Sequence, residues 1–212
     1  MQRLRLFSMV QYWLRKLGPA TFSAFTNIFY RSPNVQIGSE LKADGVPRIL
    51  VDEDSNISIG DNVEFRRGVE LRSHSGARIE IGDHCRIDRG VRILATNGAH
   101  VRIGAGSRIG LYSVLNGGAS IEIGESALLS GFVYLQTSQH RFAVKDKPIK
   151  DQGYTHGEVK VGDGAWLAAH VVIMPGVSVG QNAVVGSNAV VTKSVEADVV
   201  VGGIPAKPLS QK

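Results

Sequence analysis

The sequence predicts an all-β protein, a parallel solenoid in which short strands wind around one continuous core. Three observations predict this fold class. A motif with a small residue, alternating Ile or Val, and a closing Gly recurs five times along the chain. Large apolar residues return at every sixth position within each recurrence. The chain also contains 25 Gly and only 20% charged residues, a composition that favours many short strands joined by tight turns.

The long repeat sets the size of one coil. Its copies are Ser55–Gly60, Ala77–Gly82, Ala99–Gly104, Ala119–Gly124 and Gly157–Gly162. The first four copies begin 22, 22 and 20 residues apart. Such internal repeats are typical of solenoids, in which stacked coils bury a core that no single repeat could form alone.

A shorter repeat of six residues predicts the faces of each coil. Apolar residues fall at Ile81, Ile87 and Ile93 in one period, and a small residue such as Cys85 usually follows four positions later. A period of six fits neither a helix nor a half-buried strand, whose periods are 3.6 and 2. It fits a prism with three flat faces, in which the large residue points inward and the small one fills a corner. The extra residues of the 22-residue coils are predicted at one corner, as at Ser73–Gly76.

Composition and charge limit the class of function. Hydrophobic residues make up 43% of the chain, so neither disorder nor a membrane span is predicted for its body. The formal net charge of +5 suits an anionic partner such as a phosphate-bearing cofactor, a lipid head group or an acidic glycan. The arginines are scattered and lack interleaved aromatics, which argues against nucleic acid. The one cysteine, Cys85, excludes an intrachain disulfide, predicts a reducing compartment, and is expected as a packed thiol, not a nucleophile.

Residues 1–32 lack the repeat and are predicted as an extension before a β-helix domain of residues 33–212. Apolar residues alternate with Arg and Lys at roughly helical spacing up to residue 17, and Gly18-Pro19 is predicted to end that helix. A basic amphipathic helix lies on an anionic membrane surface in some proteins. It also serves as a cap over the open first coil or as a subunit contact. Both interpretations of this helix stay open. The predicted location is cytoplasmic, with peripheral membrane contact through residues 1–17 as an alternative.

The six-residue register breaks after Leu135. The charged stretch that follows contains Pro148 and Gly153 before the repeat resumes. A long insertion between regular coils predicts a loop, at residues 141–158, that projects from the prism and offers a place for substrate contacts.

The C-terminal motifs carry a family resemblance. Residues 161–177 read VGDGAWLAAHVVIMPGV, and Val191-Thr-Lys193 and Gly203-Ile-Pro-Ala-Lys207-Pro208 follow. With these motifs, residues 35–208 resemble the hexapeptide-repeat acyltransferases, especially the galactoside, maltose, nodulation and surface-polysaccharide O-acetyltransferases. The resemblance implies a left-handed β-helix, a hand that the spacing itself does not give because parallel crossovers are usually right-handed.

The same resemblance implies an activity. It indicates acetyl-CoA as co-substrate, no metal, and a hydroxyl of a sugar or surface-polysaccharide precursor as acceptor. It also indicates a homotrimer with its active sites between subunits. In such enzymes a His in a Thr-x-x-His segment opens the projecting loop and acts as general base, which here is His140 in Thr137-Ser-Gln-His140. An imidazole with a pKa of about 6.5 suits this role, because a hydroxyl attacks a thioester readily only as its proton is removed.

The resemblance also assigns binding residues. Ammonium groups among them suit the phosphates of coenzyme A. The predicted cofactor residues are Trp166, Ala169, Ser187, Thr192, Lys193 and Lys207. The predicted acceptor residues are Tyr112, which replaces a substrate-positioning Asn of some sugar acetyltransferases, the nearby Asn116, Thr137, and His156 in the loop.

Three alternatives compete with this interpretation. An N-acyltransferase acting on an amino sugar nucleotide would use the same donor and differ only in its acceptor. A non-catalytic solenoid would act as a scaffold, and a coenzyme A binding measurement separates it from an enzyme. A γ-type carbonic anhydrase would bind zinc through a His-x4-His pair, and no two histidines of this sequence have that spacing. No metal site is therefore predicted.

Overall fold

The protein is described by a computed structural model covering residue 12 and residues 18–211. The basic helix predicted within residues 1–17 therefore lies outside the described residues, apart from Tyr12. The α-helix α1 (Gly18–Tyr30) precedes the solenoid. The strands then wind into seven coils of three strands each, with a hairpin between the fifth and sixth coils and two further strands at the end.

The coils follow one another in chain order. The first four coils contain β1 (Val35–Ile37), β2 (Lys42–Ala43), β3 (Arg48–Val51); β4 (Asn56–Ile59), β5 (Glu64–Phe65), β6 (Glu70–Ser73); β7 (Arg78–Ile81), β8 (Arg86–Ile87), β9 (Arg92–Ala95); and β10 (His100–Ile103), β11 (Arg108–Ile109), β12 (Val114–Gly117). The fifth coil and the hairpin contain β13 (Ile121–Ile123), β14 (Leu128–Leu129), β15 (Tyr134–Gln136), β16 (Ser138–His140) and β17 (Tyr154–His156). The remaining strands are β18 (Val159–Val161), β19 (Trp166–Leu167), β20 (Val172–Ile173); β21 (Ser178–Val179), β22 (Val184–Val185), β23 (Val190–Val191); and β24 (Val199–Gly202) and β25 (Lys207–Gln211).

Strands at equivalent places in successive coils form three parallel sheets, the sides of the prism. The first and third sheets have seven strands each, and the second has nine because β24 and the antiparallel β25 extend it. The strand register confirms the predicted spacings: Ile57 pairs with Ile79, Ile79 with Val101, and Val101 with Ile121. The chain thus forms the predicted parallel β-helix with the left-handed, hexapeptide-repeat architecture.

The predicted large apolar positions form the core. Phe65, Ile87, Ile109, Leu129 and Leu167 are neighbours in the second sheet and are at most 1% exposed. Along the strands of the seven coils, buried residues alternate with exposed or half-buried ones, so each of these strands gives one side chain to the core and the next to the outside. Most of the stability of such a solenoid comes from this continuous stack.

The extra residues of the 22-residue coils are used differently from the prediction. Ser73 belongs to β6 and is buried, and its hydroxyl donates a hydrogen bond to the carbonyl of Ala77 at 2.9 Å. The added residues therefore lengthen the third-sheet strand and also widen the corner after it. The Ser73 side chain is tolerated in the interior because its hydroxyl has a backbone partner.

The Gly that closes each repeat has a steric reason. At Gly60 an added Cβ would collide with Oδ1 of Asp83, the atom that accepts a hydrogen bond from the backbone N–H of Asp61 at 2.8 Å. Gly124 stands in the same relation to Asp163, whose carboxylate accepts from the Glu125 N–H at 2.7 Å. At these two positions the Gly leaves room for a carboxylate of the next coil to bind the backbone of the turn.

Helix α1 covers the first coil. Ser23 Oγ accepts a hydrogen bond from the backbone N–H of Ala43 in β2 at 2.9 Å, and Thr26 is fully buried. The predicted helix end at Gly18-Pro19 belongs to the helix of residues 1–17, which lies outside the described residues, and the sequence did not predict that α1 begins at Gly18 and continues to Tyr30. Pro is compatible with a first helical turn, since it lacks only an N–H that has no partner there. Within the described residues, no helix combines the length and hydrophobicity needed to cross a bilayer.

Candidate active site

The insertion after β15 is a β-hairpin. Strands β16 and β17 are antiparallel, with Ser138 opposite His156 and His140 opposite Tyr154. Because side chains alternate along a strand, these four side chains share one face of the hairpin. The turn between the strands contains a short 3₁₀ helix (Ile149–Asp151). The sequence predicts a loop here, and the structure adds that its two ends are paired strands.

His140 is positioned by its cross-strand neighbour. The imidazole of His140 and the phenol ring of Tyr154 have centroids 4.2 Å apart and planes inclined by 37°. His140 is exposed, and its ring nitrogens have no hydrogen-bond partner among the described residues. An imidazole that is held by ring contact, with both nitrogens open, is suited to accept a proton from a bound acceptor.

A second histidine lies on the same face of the hairpin. Nδ1 of His156 lies 2.9 Å from Oγ of Ser138 in a hydrogen bond. A Cβ at Gly118 would overlap the Ser138 hydroxyl, so the hairpin approaches the fourth coil at a point where only glycine fits. The structure therefore brings the predicted residues His140 and His156 together.

Thr137 and Asn116 form the base of the hairpin. Thr137 is fully buried, and its hydroxyl donates to the carbonyl of Asn116 at 2.6 Å and accepts from the N–H of Ala119 at 3.0 Å. The Asn116 amide donates to the Tyr134 hydroxyl at 3.2 Å. Both predicted acceptor residues thus have protein partners, and both hydrogen bonds of the Thr137 hydroxyl are made to the backbone.

Other predicted residues lie on a different edge of the prism. Tyr112, Ala169 and Ser187 occupy turns between the second and third sheets, whereas the hairpin leaves the corner between the third and first sheets. The Tyr112 ring stacks on Phe132 with centroids 5.5 Å apart, and Phe132 stacks on His170 at 4.7 Å. The third sheet therefore separates two groups of predicted site residues.

A pocket of about 680 Å³ at the C-terminal end collects three predicted cofactor residues, Thr192, Lys193 and Lys207. Its apolar lining includes Val199 and Pro205. Lys193 and Lys207 are exposed, so the pocket offers two ammonium groups beside an apolar wall. That combination suits a ligand with both phosphate and hydrocarbon parts.

Trp166 lies outside this pocket, on the outer face of the second sheet. Its side chain is 44% exposed, and its indole N–H donates to Oγ of Ser130 at 3.1 Å. The indole thus presents an apolar surface that is fixed in orientation, as an interface or ligand contact requires.

Cys85 is the packed thiol that the sequence predicts. It is buried, and its Sγ donates to the carbonyl of Gly104 at 3.1 Å. Burial raises the pKa of the Cys85 thiol to about 11, so the thiolate form is scarce at neutral pH. In the part of the chain that the structure describes, no three His, Cys, Asp or Glu side chains form a group that could hold a metal ion.

Sequence reasoning missed Tyr154 and Ser138. The signal that would have found them is the antiparallel pairing of Thr-Ser-Gln-His with Tyr-Thr-His, which places Tyr154 opposite His140 and Ser138 opposite His156. The six-residue repeat gives no register for an insertion, so this pairing required the structure.

Comparison with known proteins identifies the repeat. Residues 158–193 match the family described as bacterial transferase hexapeptide (six repeats). A probable acetyltransferase of Mycobacterium tuberculosis is 33% identical over 104 residues, 49% of this chain and 35% of that protein. Galactoside O-acetyltransferase of Escherichia coli is 30% identical over 97 residues, 43% of this chain and 44% of that protein. The chain thus spans less than half the length of these relatives.

Two solved structures have the same fold. A hexapeptide-repeat acetyltransferase of Vibrio cholerae complexed with acetyl-CoA is 25% identical, with a TM-score of 0.53, over 68% of this chain and 71% of that one. A point mutant of the N-acyltransferase AntD of Bacillus cereus, in complex with dTDP and coenzyme A, has a TM-score of 0.59 over 84% of this chain and 83% of its own. AntD is 18% identical, so it supports the fold alone. In its repeat, its fold and its sequence relatives, this chain is similar to the hexapeptide-repeat acetyltransferases.

Proposed function

We propose that the protein is an acetyl-CoA-dependent O-acetyltransferase that modifies a hydroxyl of a sugar or surface-polysaccharide precursor. The observation that carries the proposal is the open imidazole of His140, held against Tyr154 on a hairpin inserted into a hexapeptide-repeat solenoid. The acetyltransferase relatives, among them a galactoside O-acetyltransferase, support the donor and the hydroxyl acceptor.

His140 acts as general base in this proposal. A ring nitrogen accepts the hydroxyl proton while the hydroxyl oxygen attacks the thioester carbonyl. The new C–O bond forms, the C–S bond breaks, and the protonated imidazole returns the proton to the departing sulfur. Transfer is direct, because the protein's thiol, Cys85, is buried and protonated at neutral pH.

Coenzyme A binds in part through the C-terminal pocket. The ammonium groups of Lys193 and Lys207 would meet phosphate oxygens, and the apolar wall near Val199 would meet hydrocarbon. The Vibrio cholerae relative, which was solved with acetyl-CoA, supports this ligand.

A complete site requires more than one chain. Ala169 and Ser187 lie on one edge of the third sheet and His140 on the other. A homotrimer joins unlike edges of neighbouring prisms and covers half-buried outward residues such as Val172 and Val184. We therefore propose a cytoplasmic homotrimer with donor and acceptor bound between subunits.

The test of this function is His140→Ala, with His100→Ala as matched control, since His100 lies on the first sheet beside Glu80. We expect His140→Ala to lower turnover by about 10²-fold or more, with coenzyme A affinity within about twofold of the natural chain. The control should retain turnover. Activity of His140→Ala within a few fold of the natural chain would remove His140 from the mechanism.

Tyr154 is a positioning residue for His140. Tyr154→Ala should lower kcat by about tenfold, because the imidazole loses its ring contact. Tyr154→Phe keeps the ring and should behave like the natural chain. Phe142→Ala, an exposed aromatic in the same loop, is the control. A full effect in Tyr154→Phe would show that the hydroxyl matters and that ring contact does not.

The acceptor is tested with matched sugars. Two nucleotide sugars that differ only in carrying a hydroxyl or an amine at one carbon separate O-transfer from N-transfer. Faster acetylation of the hydroxyl sugar supports the proposal, and faster acetylation of the amine would replace it by the N-acyltransferase alternative. Failure to bind coenzyme A in a calorimetric titration would favour the scaffold alternative.

A further inference from the structure

The positive charge of the chain is concentrated at its N-terminal end. The formal net charge is +5, from 24 Lys and Arg and 19 Asp and Glu. The first acidic residue is Glu40, so all 19 acidic residues lie in residues 40–212. Five of the 24 basic residues lie in residues 1–39, which leaves 19 in the remainder. The β-helix itself is therefore formally neutral, and the whole excess belongs to the segment that contains α1. The five basic residues are Arg3, Arg5, Arg15, Lys16 and Arg31.

Helix α1 presents an apolar surface to solvent. Phe25, Ile28 and Phe29 are 50%, 84% and 66% exposed, and their spacing of three and four places them on one side of the helix. The rings of Phe25 and Phe29 stack with centroids 5.3 Å apart, so the surface is continuous. None of the thirteen residues of α1 is charged.

The opposite side of α1 is already attached to the solenoid. Ser23 binds the backbone of Ala43, and Thr26 is fully buried, with its hydroxyl donating to the carbonyl of Phe22 at 2.7 Å. The contacts of α1 with β2 thus fix which side faces the prism. Phe25, Ile28 and Phe29 are left directed away from the core.

We propose that this surface docks on an anionic lipid bilayer. Aromatic and aliphatic side chains of a helix enter the boundary between head groups and acyl chains, and neighbouring basic residues are attracted to anionic head groups. The charge distribution selects this partner, because the whole positive excess belongs to the sequence that precedes a formally neutral β-helix, and a basic segment complements a negative surface. The prism would then stand on the membrane by its first coil, with the hairpin and C-terminal pocket several coils away. This inference is independent of the transfer reaction.

The test uses the full chain in co-sedimentation with vesicles of phosphatidylglycerol and phosphatidylcholine in equal amounts, and with vesicles of phosphatidylcholine alone. The variant Phe25→Ser/Ile28→Ser/Phe29→Ser should lower the partition coefficient for anionic vesicles by about tenfold or more. The matched control is Phe142→Ser/Val144→Ser/Ile149→Ser, which removes three exposed apolar side chains from the hairpin turn. It should bind like the natural chain. Raising the salt concentration should weaken binding of both the natural chain and the control.

A second variant keeps the test decisive if the triple variant loses its native circular dichroism. Ile28→Ser alone changes the most exposed of the three side chains and should lower the partition coefficient by about threefold.

Three outcomes would overturn the proposal. The first is equal sedimentation of the natural chain with anionic and neutral vesicles. The second is binding of a natively folded α1 variant as strong as that of the natural chain, which would mean that another segment contacts the lipid. The third is a change in mass by light scattering in the α1 variant alone, which would mean that a second copy of the chain covers this surface.

Discussion

The N-terminal and C-terminal halves of the prism share an interior but differ on the outside. Inside the third sheet, Leu71 and Ile93 of early coils are as buried as Leu135 and Ile173 of later ones. Outside, one column of paired positions is charged in the first three coils and apolar or aromatic from the fourth coil onward. From first to last coil it reads Arg48, Glu70, Arg92, Val114, Tyr134, Val172 and Val190.

The second sheet repeats the change. Its outer column starts with charged residues and ends with apolar ones. In order it reads Lys42, Glu64, Arg86, Arg108, Leu128, Trp166, Val184 and Val200. The outer column of the first sheet has no such change, since Glu80, Arg102, Glu122 and Lys160 follow one another with ion-pair distances of 3.5 to 3.9 Å.

The repeat constrains only the inner positions. The residues at the outer positions therefore depend on whether a face contacts water or a partner. Ion pairs suit surfaces that stay in water, and contiguous apolar residues suit surfaces that meet a partner. The apolar half of the second and third sheets lies beside the hairpin and the C-terminal pocket. Subunit contact and chemistry are therefore expected at the same end of the prism.

The largest expected effect comes from placing a charge in the apolar half. Val172→Asp should convert the proposed trimer, with a mass near three times that of the 22.8 kDa chain, into monomers, because a carboxylate would be buried without a partner. Turnover should fall with assembly. Arg92→Asp, in the same column, is the control and should leave the mass unchanged. Light scattering measures the mass of both variants, and an active trimer of Val172→Asp would show that the apolar half is not a subunit contact.

The next prediction tests whether water is excluded from the core of the N-terminal half, whose outer surface is charged. The Cys85 thiol has a pKa of about 11 in the folded chain against 9.0 for a free thiol. Above pH 9 the unfolded chain loses the proton first, so stability present below pH 9 is lost as pH rises toward 11. The loss is about 2 to 3 kcal/mol. The variant Cys85→Ala lacks this titrating thiol. The difference in unfolding free energy between the two chains should therefore shrink between pH 9 and pH 11. If the unfolding free energies of the natural chain and of Cys85→Ala changed in parallel with pH, water would have access to the thiol.

A smaller effect is expected for the lysines of the C-terminal pocket. Lys193→Ala and Lys207→Ala should each weaken coenzyme A binding by about tenfold and weaken binding of a dephosphorylated pantetheine analogue much less, because we propose that the ammonium groups meet phosphate charge. Lys160→Ala, on the polar first sheet, is the control. Calorimetric titration of both ligands gives the ratio. Equal losses for the two ligands would mean that the lysines contact another part of the molecule.

The fold was predictable because its signal is repeated in every coil. Each of Ile57, Ile79, Val101 and Ile121 supports the same register, so an error at one position is corrected by the others. The helix α1 was missed because it is a single element with no periodic partner, and Gly18-Pro19 fits a helix start as well as a helix end.

The candidate site was only partly predictable for a related reason. His140 stands out in the sequence because the register breaks beside it, and the structure shows its exposed ring. The contact with Tyr154 depends on a hairpin whose pairing no repeat encodes. The separation of Ser187 from His140 by a whole sheet follows from the winding of the chain. Sequence spacing alone does not show which corner a residue occupies until the coil length is known.

The smallest expected effect concerns the charged half of the comparison. Glu70 accepts from Arg48 at 3.2 Å and from Arg92 at 3.3 Å, and its side chain is only 16% exposed. Glu70→Gln should lower the unfolding free energy by about 1 kcal/mol, since exposed pairs contribute little individually but this carboxylate joins two arginines. Glu122→Gln is the control, because that carboxylate is 53% exposed with ion pairs no shorter than 3.9 Å, and should cost less. Urea unfolding at low and high salt measures both, and salt should reduce the Glu70 effect because screening weakens the pairs that are lost.

A cost for Glu70→Gln as large as that of a core substitution, and insensitive to salt, would mean that the outer charges of the N-terminal coils are part of a packed interface. The charged N-terminal half of the prism would then not be a water-facing surface, and the proposed difference between the two halves would be wrong.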